Sequence, residues 1–163
     1  MRKPFIEKLE ELAKKDPKVI LIIGDVGFSF LEPFIKQFPN QFLNAGIGEQ
    51  NMMGMAAGLS KVNWKPAVYT MRNFIVFRPL EQVRNDLGFP CEDVMLFGVS
   101  GSEAYRFLGS SHNVYQTRYG EEEDILIMKT IPNMNVYQPK TEEKLKEMMQ
   151  FEYERKGPSY FVI

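Results

Sequence analysis

The chain has 163 residues, of which 44% are hydrophobic and 25% charged, and its net charge is −1. That length buries a proper core as one domain over 1–163, and the near-neutral balance offers no footprint for nucleic acid or an acidic membrane surface. A single cysteine, Cys91, and a single histidine, His112, exclude an intramolecular disulfide and a Cys/His metal cluster.

Apolar residues at three- and four-residue spacing (Phe5, Ile6, Leu9, Leu12, Ala13) predict an amphipathic helix over 3–15, closed by Asp16-Pro17. Glu7, Glu10 and Glu11 interrupt any signal-peptide core, so a soluble, cytoplasmic chain is expected. Residues 19–23 are a continuous aliphatic run, the pattern of a parallel strand covered on both faces. The run ends in Gly24-Asp25-Val26-Gly27, a loop of the kind where ligands gather in open α/β sheets. A helix over 31–37 and a short strand over 41–45 follow.

Further strands are expected at 67–70, 93–99, 135–138 and 158–163, with helices over 74–87, 123–130 and 141–153. Pro79 sits inside the first of these helices, where it suits the start of the regular helix, and Thr141 caps the last. Residues 100–122 read as irregular and polar. Strands alternating with helices predict a three-layer α/β/α fold on a mostly parallel sheet. The final apolar strand, Tyr160-Phe161-Val162-Ile163, suits one part of a larger assembly.

The chain pivots on 44–59, where two glycines lead into a helix rich in Met and Ala. Glu49 stands where turn becomes helix. An acid there gains about 0.3–1 kcal/mol from the helix dipole, which alone would explain it. The small residues Gly54, Ala56, Ala57 and Gly58 would equally admit a second backbone or a flat ligand.

Gly46-Ile47-Gly48-Glu49-Gln50-Asn51-Met52 resembles the transketolase family of thiamine-diphosphate enzymes, and specifically its pyrimidine-binding domain. The similarity continues through Thr70-x-x-x-Phe74, Arg78-x-x-Glu81-Gln82-Val83-Arg84-Asn85, Gly109-Ser110-Ser111-His112-Asn113 and Ile131-Pro132-Asn133-Met134. The resemblance implies that Glu49 hydrogen-bonds N1′ of the cofactor's aminopyrimidine, favouring the imino tautomer that accepts the thiazolium proton. It implies that Phe74 stacks on that ring, with Ile47, Met71 and Asp25 also against the cofactor. Ser29, Ser100 and His112 fall on the substrate side, His112 where it can assist proton movement.

Two departures concern that substrate side. Ser100 stands where the family commonly has a second histidine, and Leu108 where it has an acid, so a different or less polar acceptor is expected. The family's metal-binding motif is imitated only by Gly24-Asp25. The resemblance therefore implies a separate, N-terminal-type subunit that holds the diphosphate and its Mg2+ (or Ca2+ or Mn2+), in a heterotetramer acting on a sugar or keto substrate. Transfer of a two-carbon ketol unit is the leading expectation. A split 2-oxo-acid decarboxylase or dehydrogenase subunit, or a non-catalytic assembly protein on the same fold, are the alternatives.

Overall fold

A computed structural model describes residues 1–101 and 103–163. Six strands, β1 (Val19–Ile23), β2 (Phe42–Asn44), β3 (Lys65–Met71), β4 (Met95–Val99), β5 (Asn135–Tyr137) and β6 (Ser159–Val162), form one sheet in the order β2-β1-β3-β4-β6-β5. Every ladder in it is parallel, in keeping with the parallel sheet expected from the sequence.

Alternation along the strands sends two rows of side chains to opposite faces. One row pairs Ile23, Tyr69, Phe97 and Phe161 across four strands. The helices α1 (Arg2–Lys15), α2 (Glu32–Gln37) and α7 (Glu142–Glu154) cover it. Phe5 of α1 seats its ring 5.3 Å from Tyr69 and 4.5 Å from Phe97. The other row pairs Ile22, Val68, Leu96 and Tyr160. It is covered by α3 (Glu49–Lys61), α4 (Arg72–Phe77) and α6 (Glu123–Met128), with Met52, Met53, Ala56 and Ala57 forming the buried stripe of α3.

The helix expected over 74–87 is instead three pieces. It starts two residues earlier as α4 and stops at Phe77, because Pro79 has no N–H to continue the ladder. A single turn, α5 (Leu80–Gln82), leads into a wide turn at Val83–Gly88, where the Phe89 N–H reaches back five residues to the Arg84 carbonyl. The segment expected to be irregular holds tight helical turns over Glu103–Ser111, kinked at Gly109. Gly54 and Gly58 face open space rather than a second backbone of this chain.

The topology also places the site. The connection after β1 runs to the α2 face and the connection after β3 to the α4 face. Between these adjacent strands the sheet opens a crevice at its carboxyl edge.

Candidate active site

The crevice is a cleft of about 490 Å³ whose lining includes Asp25, Met71 and Ser100, from the ends of β1, β3 and β4. Asp25 has φ 55°, the left-handed region, and is held there by Asn44 at the end of β2. The Asn44 amide donates to Asp25 Oδ1 (3.1 Å), while its Oδ1 accepts from the N–H groups of Asp25 (3.1 Å) and Gly46 (3.0 Å). One asparagine thus ties the loop after β1 to the turn before α3. Thr70 lines the same cleft, and its buried hydroxyl oxygen has no partner among the described residues.

Beside the cleft, Glu49 opens α3 and is 5% exposed. Arg78 Nη1 donates to its Oε1 at 2.6 Å, and the same guanidinium lies 3.6 Å over the Phe74 ring. Phe74 meets the His112 ring edge-on, with centroids 5.0 Å apart and planes at 75°. The outer side of His112 stacks on Tyr105 at 5.9 Å, and its Nδ1 is 2.8 Å from Ser111 Oγ. The loop carrying His112 is fastened to α4, since the Asn73 amide donates to the Ser110 carbonyl. Glu49, Arg78, Phe74 and His112 therefore form one contiguous line, and Ser100 joins it to the cleft through a smaller hollow it shares with His112.

Under that hollow lies a charged cluster. Arg72 is 6% exposed, yet all five of its N–H donors are used: Nε and Nη2 on Asp124 (2.8 and 2.7 Å), both terminal nitrogens on Glu122 (3.1 and 2.6 Å), and Nη1 on Ser100 Oγ (3.4 Å). Tyr160 donates to Asp124 Oδ2 at 2.6 Å. Burial opposes the arginine's charge, but hydrogen bonds to Glu122 and Asp124 outweigh it and raise its pKa above the ordinary arginine value. Burial, and then the neighbouring Asp124 carboxylate, push the Tyr160 phenol well above its usual range.

The model for the transketolase pyrimidine-binding domain matches residues 1–163. The chain belongs to that family. It is 37% identical over 139 residues to one of the subunits of an apulose-4-phosphate transketolase of Phocaeicola vulgatus, covering 85% of this chain and 42% of that protein. It is 35% identical over 161 residues to a putative transketolase C-terminal section of Methanocaldococcus jannaschii, covering 98% of this chain and 49% of that protein. Among solved structures, a split gene transketolase described as an inactive beta4 tetramer superposes with TM-score 0.84 at 31% identity, over 99% of this chain and 50% of that one. The chain thus spans about half the length of the relatives it matches.

Within this pyrimidine-binding domain the predicted site residues are not all in one place. Asp25, Met71 and Ser100 share the cleft, and Glu49, Phe74 and His112 line up beside it. Ile47 stands apart, its side chain 79% exposed. Ser29 has φ 63° and gives its N–H to Glu32 Oε1 (2.7 Å), outside the cleft lining. Arg78, Arg72, Asp124 and Asn44 carry contacts that sequence reasoning gave no role. Arg78 belongs to one of the family motifs, but nothing in its spacing shows that it reaches Glu49. Among the described residues, no three His, Cys, Asp or Glu side chains are grouped to hold a metal ion, and no helix is long and apolar enough to cross a membrane.

Proposed function

We propose that this chain is the pyrimidine-binding part of a thiamine-diphosphate-dependent, transketolase-like enzyme that moves a two-carbon ketol unit from a ketose to an aldehyde. The observation that carries the reading is the pairing of a buried helix-start acid, Glu49, with the Phe74 face through a planar guanidinium. A flat hydrogen-bonding group already stacks on the aromatic and meets the carboxylate there, so these residues suit an aminopyrimidine.

When bound, thiamine diphosphate supplies a thiazolium carbon that becomes a nucleophile on loss of its proton. The work of this chain is to position and to move protons. With the cofactor bound, Glu49 would share a proton with a nitrogen of its pyrimidine, Phe74 would fix the ring plane, and Met71 and Asp25 would bound it from the cleft. His112, edge-on to Phe74, faces the substrate beside Ser100. With its fork fully engaged by two carboxylates, Arg72 has no donor left for a substrate anion. That favours an uncharged portion of the acceptor next to Ser100.

A separate subunit supplies the diphosphate site and its divalent metal, magnesium or else calcium or manganese, and the two chains assemble in the cytoplasm as a heterotetramer. Phe28, Ile47 and Phe107 support a partner at this edge. They are 70, 79 and 83% exposed, on the connections after β1, β2 and β4. Ile47 would then meet the cofactor only within the assembled pair.

Co-expression with a diphosphate-binding transketolase subunit, followed by calorimetric titration with thiamine diphosphate and Mg2+, tests the reading. Tight binding by the pair and not by this chain alone is expected. Tight binding and turnover by this chain alone, or no binding by the pair, would overturn it.

A further inference from the structure

Arg78 makes two contacts at once, and both are ones the proposed pyrimidine site needs. Its guanidinium carbon is 3.6 Å from the Phe74 ring centroid, and its Nη1 donates to Glu49 Oε1 at 2.6 Å. A guanidinium is flat, delocalised and rich in in-plane donors, so it can stack on a ring and hydrogen-bond a carboxylate in one pose. An aminopyrimidine has the same two properties. The two cannot share the position, because Phe74 is only 8% exposed and the His112 ring crowds it at 5.0 Å. Arg78 is free to leave. Its side chain is 42% exposed, it directly follows α4 just before the break at Pro79, and its one ion-pair partner among the described residues is Glu49.

We infer that Arg78 is a displaceable surrogate for the cofactor's aminopyrimidine ring, stacked on Phe74 and paired with Glu49 until the ring takes both contacts. The inference rests on the proposed function. It adds to that reading a gate encoded in this chain. The closed form keeps a buried carboxylate paired and an aromatic face covered, and it lowers cofactor affinity by the fraction of molecules that must open first.

The test is an NMR titration of the purified chain with the free aminopyrimidine moiety of thiamine, comparing wild type with Arg78→Met, Arg78→Lys and Glu49→Gln. Arg78→Met is expected to bind about tenfold more tightly, the gain when nine molecules in ten are closed. Arg78→Lys, which keeps the charge but not the flat stack, should fall between, and Glu49→Gln should bind more weakly than wild type. In the wild type, adding the pyrimidine should move the Arg78 Nε–H signal towards that of a solvent-exposed arginine, a readout that needs no variant to fold. Equal or weaker binding by Arg78→Met, or an Arg78 signal that ignores bound pyrimidine, overturns the gate and leaves the pyrimidine site standing. If no form of the lone chain binds the pyrimidine, the gate is overturned, and the pyrimidine site is decided separately by titrating the co-expressed pair with thiamine diphosphate and Mg2+.

Discussion

The guanidinium of Arg72 lies fork-to-fork on the carboxylate of Asp124, with Nε–Oδ2 at 2.8 Å and Nη2–Oδ1 at 2.7 Å, beneath the hollow shared by Ser100 and His112. The Asp124 side chain is fully buried and that of Arg72 is 7% exposed, so neither charge has water to fall back on. Removing one partner strands the other. Arg72→Met should lower unfolding stability by about 3–5 kcal/mol in urea titration, the cost of an uncompensated buried charge. In a double-mutant cycle with Asp124→Asn, the second substitution should cost much less than it does alone.

That cluster needs the bare backbone of Gly98. A Cβ there would lie 2.6 Å from Tyr160 Oη and 3.1 Å from Arg72 Cγ. Gly98→Ala should therefore destabilise the chain by about 1–3 kcal/mol, as overpacking does, and shift the Tyr160 ring signals in NMR.

Alkaline pH should weaken the fold. Burial and the hydrogen bond to Glu152 push the Tyr137 phenol up to about 12, and burial with the Asp124 carboxylate raises Tyr160 well above the usual tyrosine range. Both groups keep their protons in the folded state after the unfolded chain has released them. Their contribution is complete below about pH 10, the ordinary tyrosine value, and is lost as pH rises from there through the folded values. Urea midpoints measured from about pH 8 to 11.5 should fall above pH 10, and Tyr137→Phe should flatten the earlier part of that fall.

His112 owes its place to Phe74 and to the Asn73 clasp on the Ser110 carbonyl. In the proposed two-subunit enzyme, His112→Gln should lower kcat by about 10²–10⁴, the range for a lost acid–base group, with little change in cofactor affinity. Asn73→Ala should give a smaller kcat loss that keeps the wild-type pH profile, because it loosens the loop without removing the imidazole.

What the sequence made legible was whatever depends on local pattern. The aliphatic run at 19–23 and the helix periodicities of 3–15 and 141–153 led to the right elements, since burial on one or both faces leaves a repeating trace. Pro79 read as the start of the regular helix, whereas α4 stops before it and three kinds of turn fill 72–88. The charged cluster was not legible as a cluster, although Asp124 lies in Glu123-Asp124-Ile125, a stretch that resembles the family, and Arg72 within Thr70-x-x-x-Phe74. Arg72 and Asp124 are 52 residues apart, and each reads locally as a loop residue or a helix-start acid. Arg78 and Glu49, 29 residues apart, both sit inside family motifs, yet only the fold brings them into contact. Ile47 is exposed because the turn before α3 points its side chain away from this chain.

The central claim is that Glu49 activates a bound cofactor rather than merely starting a helix. Its most direct measurement is hydrogen–deuterium exchange at C2 of thiamine diphosphate in the proposed two-subunit enzyme, wild type against Glu49→Gln. Exchange is predicted to slow by about 10²–10⁴ while cofactor affinity changes far less. Exchange at the wild-type rate in Glu49→Gln would contradict the claim.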